Sequence, residues 1–264
     1  MKRPNLSVYI LAYNEADKIR DAIESVRGWA DEILVADSHS TDGTATVAKK
    51  LGARVVQIPF QTFGQLRNKA IAACNHEWIF SLDADERMTE EAKREIDEVL
   101  RLPAADLYFV PRRNFFFGRW IRHCGWYPDY RQPQLFRKGT LTFSEADEVH
   151  EGWKAKGEIG YLRHAIIQIP FSGLNQLQQK ACRYSDLGAR KLLREGQPVG
   201  MWRALAHGIW AFVRIYILKL GILDGWAGFI IALGNFEGTF YRYAKAVERR
   251  DGLNKFNSRF SADE

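Results

Sequence analysis

Apolar segments of strand length alternate with helical patterns along the first 60 residues. Mainly apolar runs at 6–11, 32–36 and 54–58 have the length of buried strands. Between the first two runs, apolar residues recur with the spacing of one helix face, at Ile19, Ala22, Ile23 and Val26. A turn rich in capping residues then precedes a predicted helix over about 44–51. This alternation predicts an α/β fold, Rossmann-like, with a mostly parallel sheet and helices on both faces.

Polar residues follow three of the predicted strands. The first run leads into 13–15 (Tyr-Asn-Glu), the second ends at Asp37, and an apolar run at 78–82 is followed by Asp83, Asp85 and Glu86. Ligands of such sheets bind beyond the carboxyl ends of the strands, so these residues are expected around one crevice. Carboxylate oxygens suit Mg²⁺ or Mn²⁺, often together with substrate phosphates. An isolated Asp-x-Asp is more often a solvated turn; the convergence of three strand ends favours the metal interpretation.

The C-terminal part has a different pattern. Residues 202–243 are rich in Trp, Phe, Ile and Leu, but Arg214, Lys219 and Asp224 interrupt them, and the longest uncharged run, 225–236, has 12 residues. A bilayer span needs about 20. We therefore expect helices that lie in a membrane interface, the alternative being an internal helical cap or a dimer surface. The predicted organisation is a catalytic domain over 1–200 and an amphipathic helical extension over 201–264.

Charge is distributed unevenly over the 264 residues. Residues 1–100 carry a net charge of −4 and residues 101–264 a net charge of +10, which together give +6. Arginines between 112 and 122 alternate with aromatic residues, a pattern that suits nucleic acid, a phosphorylated glycolipid, an anionic membrane surface or simply a solubilising surface. No nucleic-acid-binding module is recognisable, and the acidic first hundred residues would repel phosphate backbones. The sequence also has no P-loop motif.

Cysteine usage points to a reducing compartment. Cys74, Cys124 and Cys182 are odd in number and far apart, which argues against a disulfide framework and against a zinc site. Residues 1–4 lead almost directly into the first strand and leave no room for a signal peptide. The expectation is a cytoplasmic protein, peripheral on the inner face of the cytoplasmic membrane.

Four sequence blocks together resemble the family-2 glycosyltransferases of the GT-A fold. They are Tyr-Asn-Glu at 13–15, Val-x-Asp-x-x-Ser-Thr-Asp-Gly-Thr at 35–44, Arg-Asn-x-Ala at 67–70, and the strand with Leu-Asp-Ala-Asp-Glu at 78–86. Softer motifs resemble the subgroup of lipopolysaccharide-core glucosyltransferases. These lie at 125–129, 135–137, 149–151 and 220–225.

The resemblance implies a donor site for a UDP-sugar and a divalent metal, Mg²⁺ or Mn²⁺. It places Asp37 at the nucleotide base, where a carboxylate can accept the imide N–H of uracil. It assigns Asp85 as the direct metal ligand and Asp83 to a position nearer the ribose. The remaining donor contacts that it implies are Tyr13 and Glu15 along the base and ribose, and Arg67 along the nucleotide. Asp42 is more simply interpreted as a turn and helix-cap residue.

The resemblance also implies an inverting transfer of a hexose, glucose for this subgroup, to a heptose of the lipopolysaccharide inner core. Another cell-envelope glycan, a polyprenyl phosphate or a peptide is the alternative acceptor. The acidic segment 145–151 is expected to supply the general base. Glu151 is favoured, with Glu148 and Asp147 in reserve, although a solvated acidic loop is equally compatible with the pattern.

Four residues are candidates for acceptor or diphosphate contacts. His150 could orient the base, contact diphosphate or fill a core. The others are Arg131, Arg137 and Trp126. The chain departs from the family pattern at His39, where glycine is common, and at Gln134, where arginine is expected.

Overall fold

The structure is a computed structural model and describes residues 2–145, 152–171 and 173–252. The chain forms two compact units. The sheet unit comprises Met1–Asn114 and Pro128–Pro170, and the helical unit comprises Phe115–Tyr127 and Phe171–Glu264. The sequence suggests a boundary between residues 200 and 201, and the two compact units do not divide there. The assignment of catalysis to 1–200 and of a helical extension to 201–264 stays a prediction.

A seven-stranded sheet organises the sheet unit. The strands of the described residues, including those of two smaller sheets, are β1 (Leu6–Ala12), β2 (Glu32–Asp37), β3 (Arg54–Gln57), β4 (Trp78–Asp83), β5 (Glu86–Arg87), β6 (Leu107–Phe109), β7 (Arg112–Phe116), β8 (Arg119–Trp120), β9 (Pro133–Arg137), β10 (Leu141–Phe143), β11 (Trp153–Ala155), β12 (Ile159–Tyr161) and β13 (Ile166–Gln168). The order in the large sheet is β12-β6-β9-β4-β1-β2-β3. Strand β9 is antiparallel to both of its neighbours, and the other pairs are parallel. The predicted mainly parallel α/β sheet is thus confirmed.

Helices cover both faces of this sheet. They are α1 (Ala16–Val26), α2 (Thr44–Lys50), α3 (Phe63–Ala73) and α4 (Glu90–Arg101). Helices α1, α2 and α4 pack into one apolar cluster, which includes Ile23 and Ile96, whereas α3 packs into a second cluster with Leu66. Thr62 and Thr89 cap α3 and α4, because each side chain accepts a backbone N–H from the first turn. Burial on two faces explains why the central strands are apolar throughout rather than alternating.

The helical unit contains three long helices, α5 (Leu174–Arg194), α6 (Met201–Val213) and α7 (Gly225–Asp251). A π-helical turn, Arg214–Leu218, and a 3₁₀ turn, Gly221–Asp224, join α6 to α7. Strand β8 pairs with Phe115 and Phe116, and this hairpin contributes Phe116 and Ile121 to the apolar core of the unit.

The buried carboxylate of Asp224 connects the hairpin to the turn between α6 and α7. It accepts the backbone N–H groups of Arg122 and His123 at 3.2 and 2.9 Å and lies 3.1 Å from the Nδ1 atom of His123. Gly228 allows the close approach of the turn, since a Cβ atom there would lie 1.9 Å from the carbonyl oxygen of Gly221. The Gly-Ile-Leu-Asp-Gly motif at 221–225 therefore has a structural function in this unit.

Within the described residues, no single helix is both long and apolar enough to cross a membrane. The pair Met201–Leu218 and Gly221–Asp251 meets the length and composition criteria when the two segments are taken together, but they are bent by 71° at the break between them. The expected interfacial character of this part is taken up below as a proposal.

Candidate functional site

The carboxyl ends of three adjacent strands form the edge that the sequence singles out. In the strand register, Ala12 of β1 lies opposite Asp37 of β2, and Leu11 lies opposite Asp83 of β4. Strand β1 lies between β2 and β4, so two strand spacings separate Asp37 from Asp83 and their backbones are about 10 Å apart. Tyr13 follows β1 and has 62% of its surface exposed. The structure thus brings these strand-end residues together at one edge.

Asp37 organises the loop after β2. Its carboxylate accepts the Nε2–H of Gln57 at 2.8 Å and the backbone N–H of Ser40 at 3.1 Å, together with a short hydrogen bond from the Ser40 hydroxyl. The residue is fully buried. In this structure Asp37 holds the loop, and its expected contact with a nucleotide base stays a prediction.

The loops after β1 and β2 are tied to each other. Asn14, which has a positive φ of 53°, accepts the backbone N–H of Thr41 through its side chain. Asp42 accepts the backbone N–H groups of Ala16 and Thr44, so its carboxylate joins the starts of α1 and α2, and its predicted role in the turn is confirmed. Burial alone would raise the pKa of Asp42, but the hydrogen bond from the Thr44 hydroxyl and these backbone hydrogen bonds outweigh it and lower the pKa.

His39 lies in the same loop with a φ of 59°. This left-handed backbone region favours glycine, the residue that the resemblance leads us to expect at this position. The sequence departs from the family pattern here while the backbone keeps the conformation that suits glycine.

Arg67 lies behind the edge rather than along an open groove. Its guanidinium donates to the hydroxyl of Ser81 at 3.1 Å and to Oδ1 of Asp83 at 3.3 Å, and it lies 5.5 Å from the ring centroid of Phe143. Only 4% of Arg67 is exposed, so it has little surface for a ligand. In this structure Arg67 positions Asp83, and its expected place along the nucleotide stays a prediction.

Asn68, the next residue of the Arg-Asn-x-Ala block, holds a different strand. Its side chain donates to the carbonyl oxygen of Phe143 and accepts the N–H of the same residue, both at 3.0 Å, and it also donates to Glu145. Sequence reasoning did not assign Asn68 a role. In this block, Arg67 therefore holds Asp83 at the end of β4, and Asn68 holds β10.

Asp83 and Asp85 present the carboxylates that could hold a metal. The side chain of Asp83 is 32% exposed, and Asp85 is partly buried. Both oxygens of Asp85 lie 3.3 Å from Nε2 of Gln168, whose side chain orients them. Among the residues that the structure describes, no group of three or more His, Cys, Asp or Glu side chains could hold a metal ion. Two hard oxygen donors fit Mg²⁺ or Mn²⁺ only if a substrate supplies further ligands.

Glu86, the third carboxylate of the motif, points inward. It is fully buried and receives hydrogen bonds from Arg112 Nε at 2.6 Å, from Gln134 Nε2 at 3.0 Å and from the backbone N–H of Asp83 at 2.9 Å. Burial raises the pKa of Glu86 to about 7, although Arg112 opposes that rise. Glu86 is thus a structural support for the backbone of Asp83.

The unexpected glutamine of this chain, Gln134, has a role in that support. Besides Glu86 it donates to the carbonyl oxygen of Ser81, 3.1 Å away. The buried positive charge next to Glu86 comes instead from Arg112, whose Nη1 also donates to the carbonyl oxygen of Asp129 at 2.8 Å. Strand β7 begins with three polar residues, so its local pattern did not signal that Arg112 is buried against Glu86.

Arg131 and Arg137 differ in position. Arg131 forms a 2.6 Å ion pair with Asp129. Burial would lower the pKa of Arg131, but that ion pair and the charges of Glu86 and Asp83 outweigh it, so the pKa is raised. Arg137 lies opposite Trp78 at the start of β4, about 17 Å along the strand from Asp83. There it pairs with Glu77 at 3.0 Å. Of the two, Arg131 therefore lies nearer Asp83, and an acceptor or diphosphate contact of either arginine stays a prediction.

One remaining candidate belongs to the helical unit, and four fall outside the described residues. Trp126 belongs to the helical unit, where it packs against the rings of Phe116 and Phe171 with centroids 6.2 and 6.4 Å apart. Four candidates fall outside the described residues, and their assignment stays a prediction: Asp147, Glu148, His150 and Glu151.

Comparison with known proteins gives a consistent picture. Residues 7–151, more than half of the chain, match the family described as glycosyl transferase family 2. A protein of Rickettsia felis, described as an uncharacterized glycosyltransferase, is 28% identical over 258 residues that cover 92% of this chain and 89% of that protein. The lipopolysaccharide core biosynthesis glycosyltransferase LpsC of Rhizobium meliloti is 27% identical over 256 residues, with 92% of each chain covered.

A solved structure shows a partial likeness. Glucosyl-3-phosphoglycerate synthase from Mycobacterium tuberculosis, in complex with Mn²⁺, uridine diphosphate and glucosyl-3-phosphoglycerate, is 27% identical, with 42% of this chain and 44% of that chain covered and a TM-score of 0.37. A likeness of this size does not bear on the donor or the metal of this chain. The family match, by contrast, spans the strand-end blocks and the sheet that carries them. The chain therefore belongs to glycosyl transferase family 2, and it is a glycosyltransferase with a GT-A fold.

Proposed function

We propose that this glycosyltransferase moves a hexose, glucose in the first instance, from a UDP-sugar to a heptose of the lipopolysaccharide inner core in a metal-dependent, inverting reaction. The observation that carries the proposal is the pair of partly exposed carboxylates, Asp83 and Asp85, at the carboxyl edge of a family-2 sheet. The acceptor is supported by the similarity to LpsC, which extends over 92% of both chains.

In the donor site, Asp85 and Asp83 would hold the cation, with the sugar diphosphate completing its coordination. The bound cation would neutralise charge that develops on the leaving diphosphate. Arg131 adds a positive charge close to Glu86 and Asp83. Tyr13, exposed beside this edge, would stack on the base, and Glu15 would line the ribose.

The chain must also take a proton from the acceptor hydroxyl as the new glycosidic bond forms. Glu151 is the proposed general base, with Glu148 and Asp147 as alternatives, and His150 could orient it. A general base of this kind contributes roughly 10²- to 10⁴-fold to the rate. If Glu151→Gln kept near-normal turnover, the assignment of the base would move to one of the other two carboxylates.

The donor proposal is tested by isothermal titration of the full chain with UDP, UDP-glucose and GDP, each with Mn²⁺ and with EDTA. We expect binding of the uridine nucleotides only, and only with metal. Asp85→Asn should weaken this binding at least tenfold, because one of two protein ligands is lost. Glu98→Gln, an exposed change on α4, is the matched control and should bind normally. Binding that persisted in EDTA would contradict metal dependence.

The acceptor proposal needs a separate assay. Transfer of labelled glucose to lipopolysaccharide truncated at the inner core should be observed, and removal of the heptose from that acceptor should abolish it. Turnover with a polyprenyl phosphate or a peptide, and none with truncated lipopolysaccharide, would assign a different acceptor to the same donor site.

The helical unit is proposed to lie in the interface of the cytoplasmic membrane, on its inner face. It exposes large apolar side chains, among them Trp202 (84%), Trp226 (79%) and Leu223 (62%). Arg214 and Lys219 lie in the turn region between these residues. Such a combination suits an interface in which aromatic groups enter the acyl boundary and cations face headgroups. Co-sedimentation with vesicles should fall for Trp202→Ser combined with Trp226→Ser, whereas unchanged sedimentation would favour a protein partner.

A further inference from the structure

The helical unit contains a cavity of about 250 Å³, open to solvent on one side, between α5 and α7. One face of each helix lines it, for example Leu177 and Lys180 on α5 and Ile231 and Arg242 on α7. The volume is slightly below the usual range for drug-sized ligands, about 300–1,000 Å³, and suits a slender molecule. Nothing in the donor site described above uses this cavity.

Glycine residues keep the cavity open on the side of α7. A Cβ atom at Gly238 would meet no atom within 4 Å, and one at Gly234 would meet only Leu177, at 3.8 Å. In the same helix, Gly228 is required by close packing against Gly221. Glycine in a helix interior is destabilising relative to alanine. Close packing therefore does not explain why glycine stands at 234 and 238, whereas a ligand lying in the groove would explain it.

The chemistry of the lining is that of an amphiphile site. Trp126 and Phe171 supply aromatic walls, and Ile231 is 3% exposed. Lys180 places its ammonium 5.0 Å from the ring centroid of Phe171, and Arg242 is exposed at the lining. Among the described lining residues, two are cationic and none is Asp or Glu. Charge complementarity thus favours an anionic head attached to an apolar chain.

We propose that this cavity binds the phosphate and one acyl arm of an anionic phospholipid. Arg242 and Lys180 contact the phosphate, and the chain lies over Gly234 and Gly238 toward the aromatic wall. A bilayer lipid is favoured because the same unit exposes Trp202 and Trp226. The site requires no sugar transfer, so it stands or falls independently of the donor and acceptor proposed above.

The test uses the full chain and two probes: dodecyl phosphate below its micellar concentration, followed by isothermal titration, and co-sedimentation with phosphatidylglycerol or phosphatidylcholine vesicles. Arg242→Gln should weaken dodecyl phosphate binding about tenfold, because a charge-assisted hydrogen bond is lost. It should also reduce phosphatidylglycerol binding to the phosphatidylcholine level. Arg183→Gln, an exposed charge change on α5 outside the lining, is the matched control and should bind normally.

A second pair of variants tests the cavity itself. Gly238→Leu should abolish dodecyl phosphate binding by filling the groove, and Gly238→Ala, which no neighbour opposes, should fold and weaken it. Equal affinity for dodecyl maltoside, or unchanged binding in Arg242→Gln and Gly238→Ala, would overturn the proposal. If these variants no longer bound dodecyl phosphate but still preferred phosphatidylglycerol vesicles to phosphatidylcholine vesicles, the phospholipid assignment would be wrong. The ligand of the cavity would then be another phosphorylated amphiphile. Titration with UDP should be unchanged in every variant.

Discussion

At the scale of single residues, the candidate site depends on buried side chains that support Asp83. Glu86, Arg112 and Gln134 form a buried network beneath the backbone of Asp83, and Arg67 holds the carboxylate of the same residue. A carboxylate that must keep its position against a highly charged ligand needs such support. The buried ion pair also makes this part of the molecule sensitive to the loss of one partner.

Arg112→Met is expected to destabilise the chain by about 3–5 kcal/mol, because it leaves the buried carboxylate of Glu86 without its cation. Denaturation in urea measures the change. Arg20→Met, which removes an exposed arginine of α1, is the control and should cost about 0.5 kcal/mol or less. The double variant Glu86→Met/Arg112→Met should recover part of the loss. An Arg112→Met protein as stable as the control would show that the pair contributes little.

Glu32→Gln is expected to reduce stability at neutral pH and to matter less in acid. Burial would raise the pKa of Glu32, but hydrogen bonds from Asn75 and Ser7 and the ion pair with Arg54 outweigh it, so the folded pKa lies below 4.5. The contribution is thus fully present above pH 4.5 and is lost as the pH falls through the folded pKa.

Urea denaturation of wild type and Glu32→Gln at pH 7 and at pH 3 measures this difference. We expect about 1.5–3 kcal/mol at pH 7, the usual range for hydrogen bonds to a charged group, and a smaller value at pH 3. Glu98→Gln, exposed on α4, should show little difference at either pH. A gap between wild type and Glu32→Gln that widened in acid would contradict the lowered pKa.

At the scale of elements, α7 contains glycines with different functions. Gly228 permits contact with the 3₁₀ turn, since a Cβ atom there would meet Gly221, whereas the site of Gly238 is open. The helix therefore combines one position fixed by packing with another that lines a cavity. The same helix is long, from Gly225 to Asp251, so its own propensity can tolerate these interruptions.

Gly238→Ala is expected to raise the free energy of unfolding by about 0.8–1 kcal/mol, the usual difference between alanine and glycine in a helix. Gly228→Ala, in the same helix, should instead be destabilising, because the added methyl group would overlap the carbonyl oxygen of Gly221 at 1.9 Å. Thermal unfolding followed by circular dichroism compares the two variants. The interpretation of α7 is wrong if both substitutions shift the melting temperature in the same direction.

At the scale of the whole molecule, the two compact units differ in what they expose. The sheet unit buries most of its apolar residues in two layers on either side of the sheet, although Leu102 and Tyr161 are exposed. The helical unit has a smaller core and presents large apolar side chains, including Trp202 and Trp226, to its surroundings. These exposed aromatic groups are the basis of the interfacial role proposed above.

Thiol reactivity is expected to report the packing of both units. Cys182 is exposed, whereas Cys74 and Cys124 are buried, and burial raises the pKa of each buried thiol to about 12. At pH 8 the reagent 5,5′-dithiobis(2-nitrobenzoic acid) should therefore titrate one thiol in the native protein and three in guanidinium chloride. Fast reaction of two or three thiols without denaturant would indicate that a core opens readily.

Local patterns of the sequence determined the architecture and the chemical class of the site. Apolar runs of strand length, separated by helical spacing, predicted the parallel sheet, and the position of Asp37 and Asp83 after those runs predicted a shared edge. These inferences succeed because parallel strands necessarily present their carboxyl ends on one side. Four sequence blocks likewise sufficed to predict the family that the comparison confirms.

Only the tertiary structure decided which way individual side chains point and what they contact. Arg112 meets Glu86 across 26 positions of sequence, and the antiparallel register of β9 places Arg137 opposite Trp78, far from Asp83. Arg67 supports the edge because α3 packs beneath it. Such pairings follow from strand register and helix packing, which join residues that are distant along the chain, and local hydrophobic spacing does not encode them.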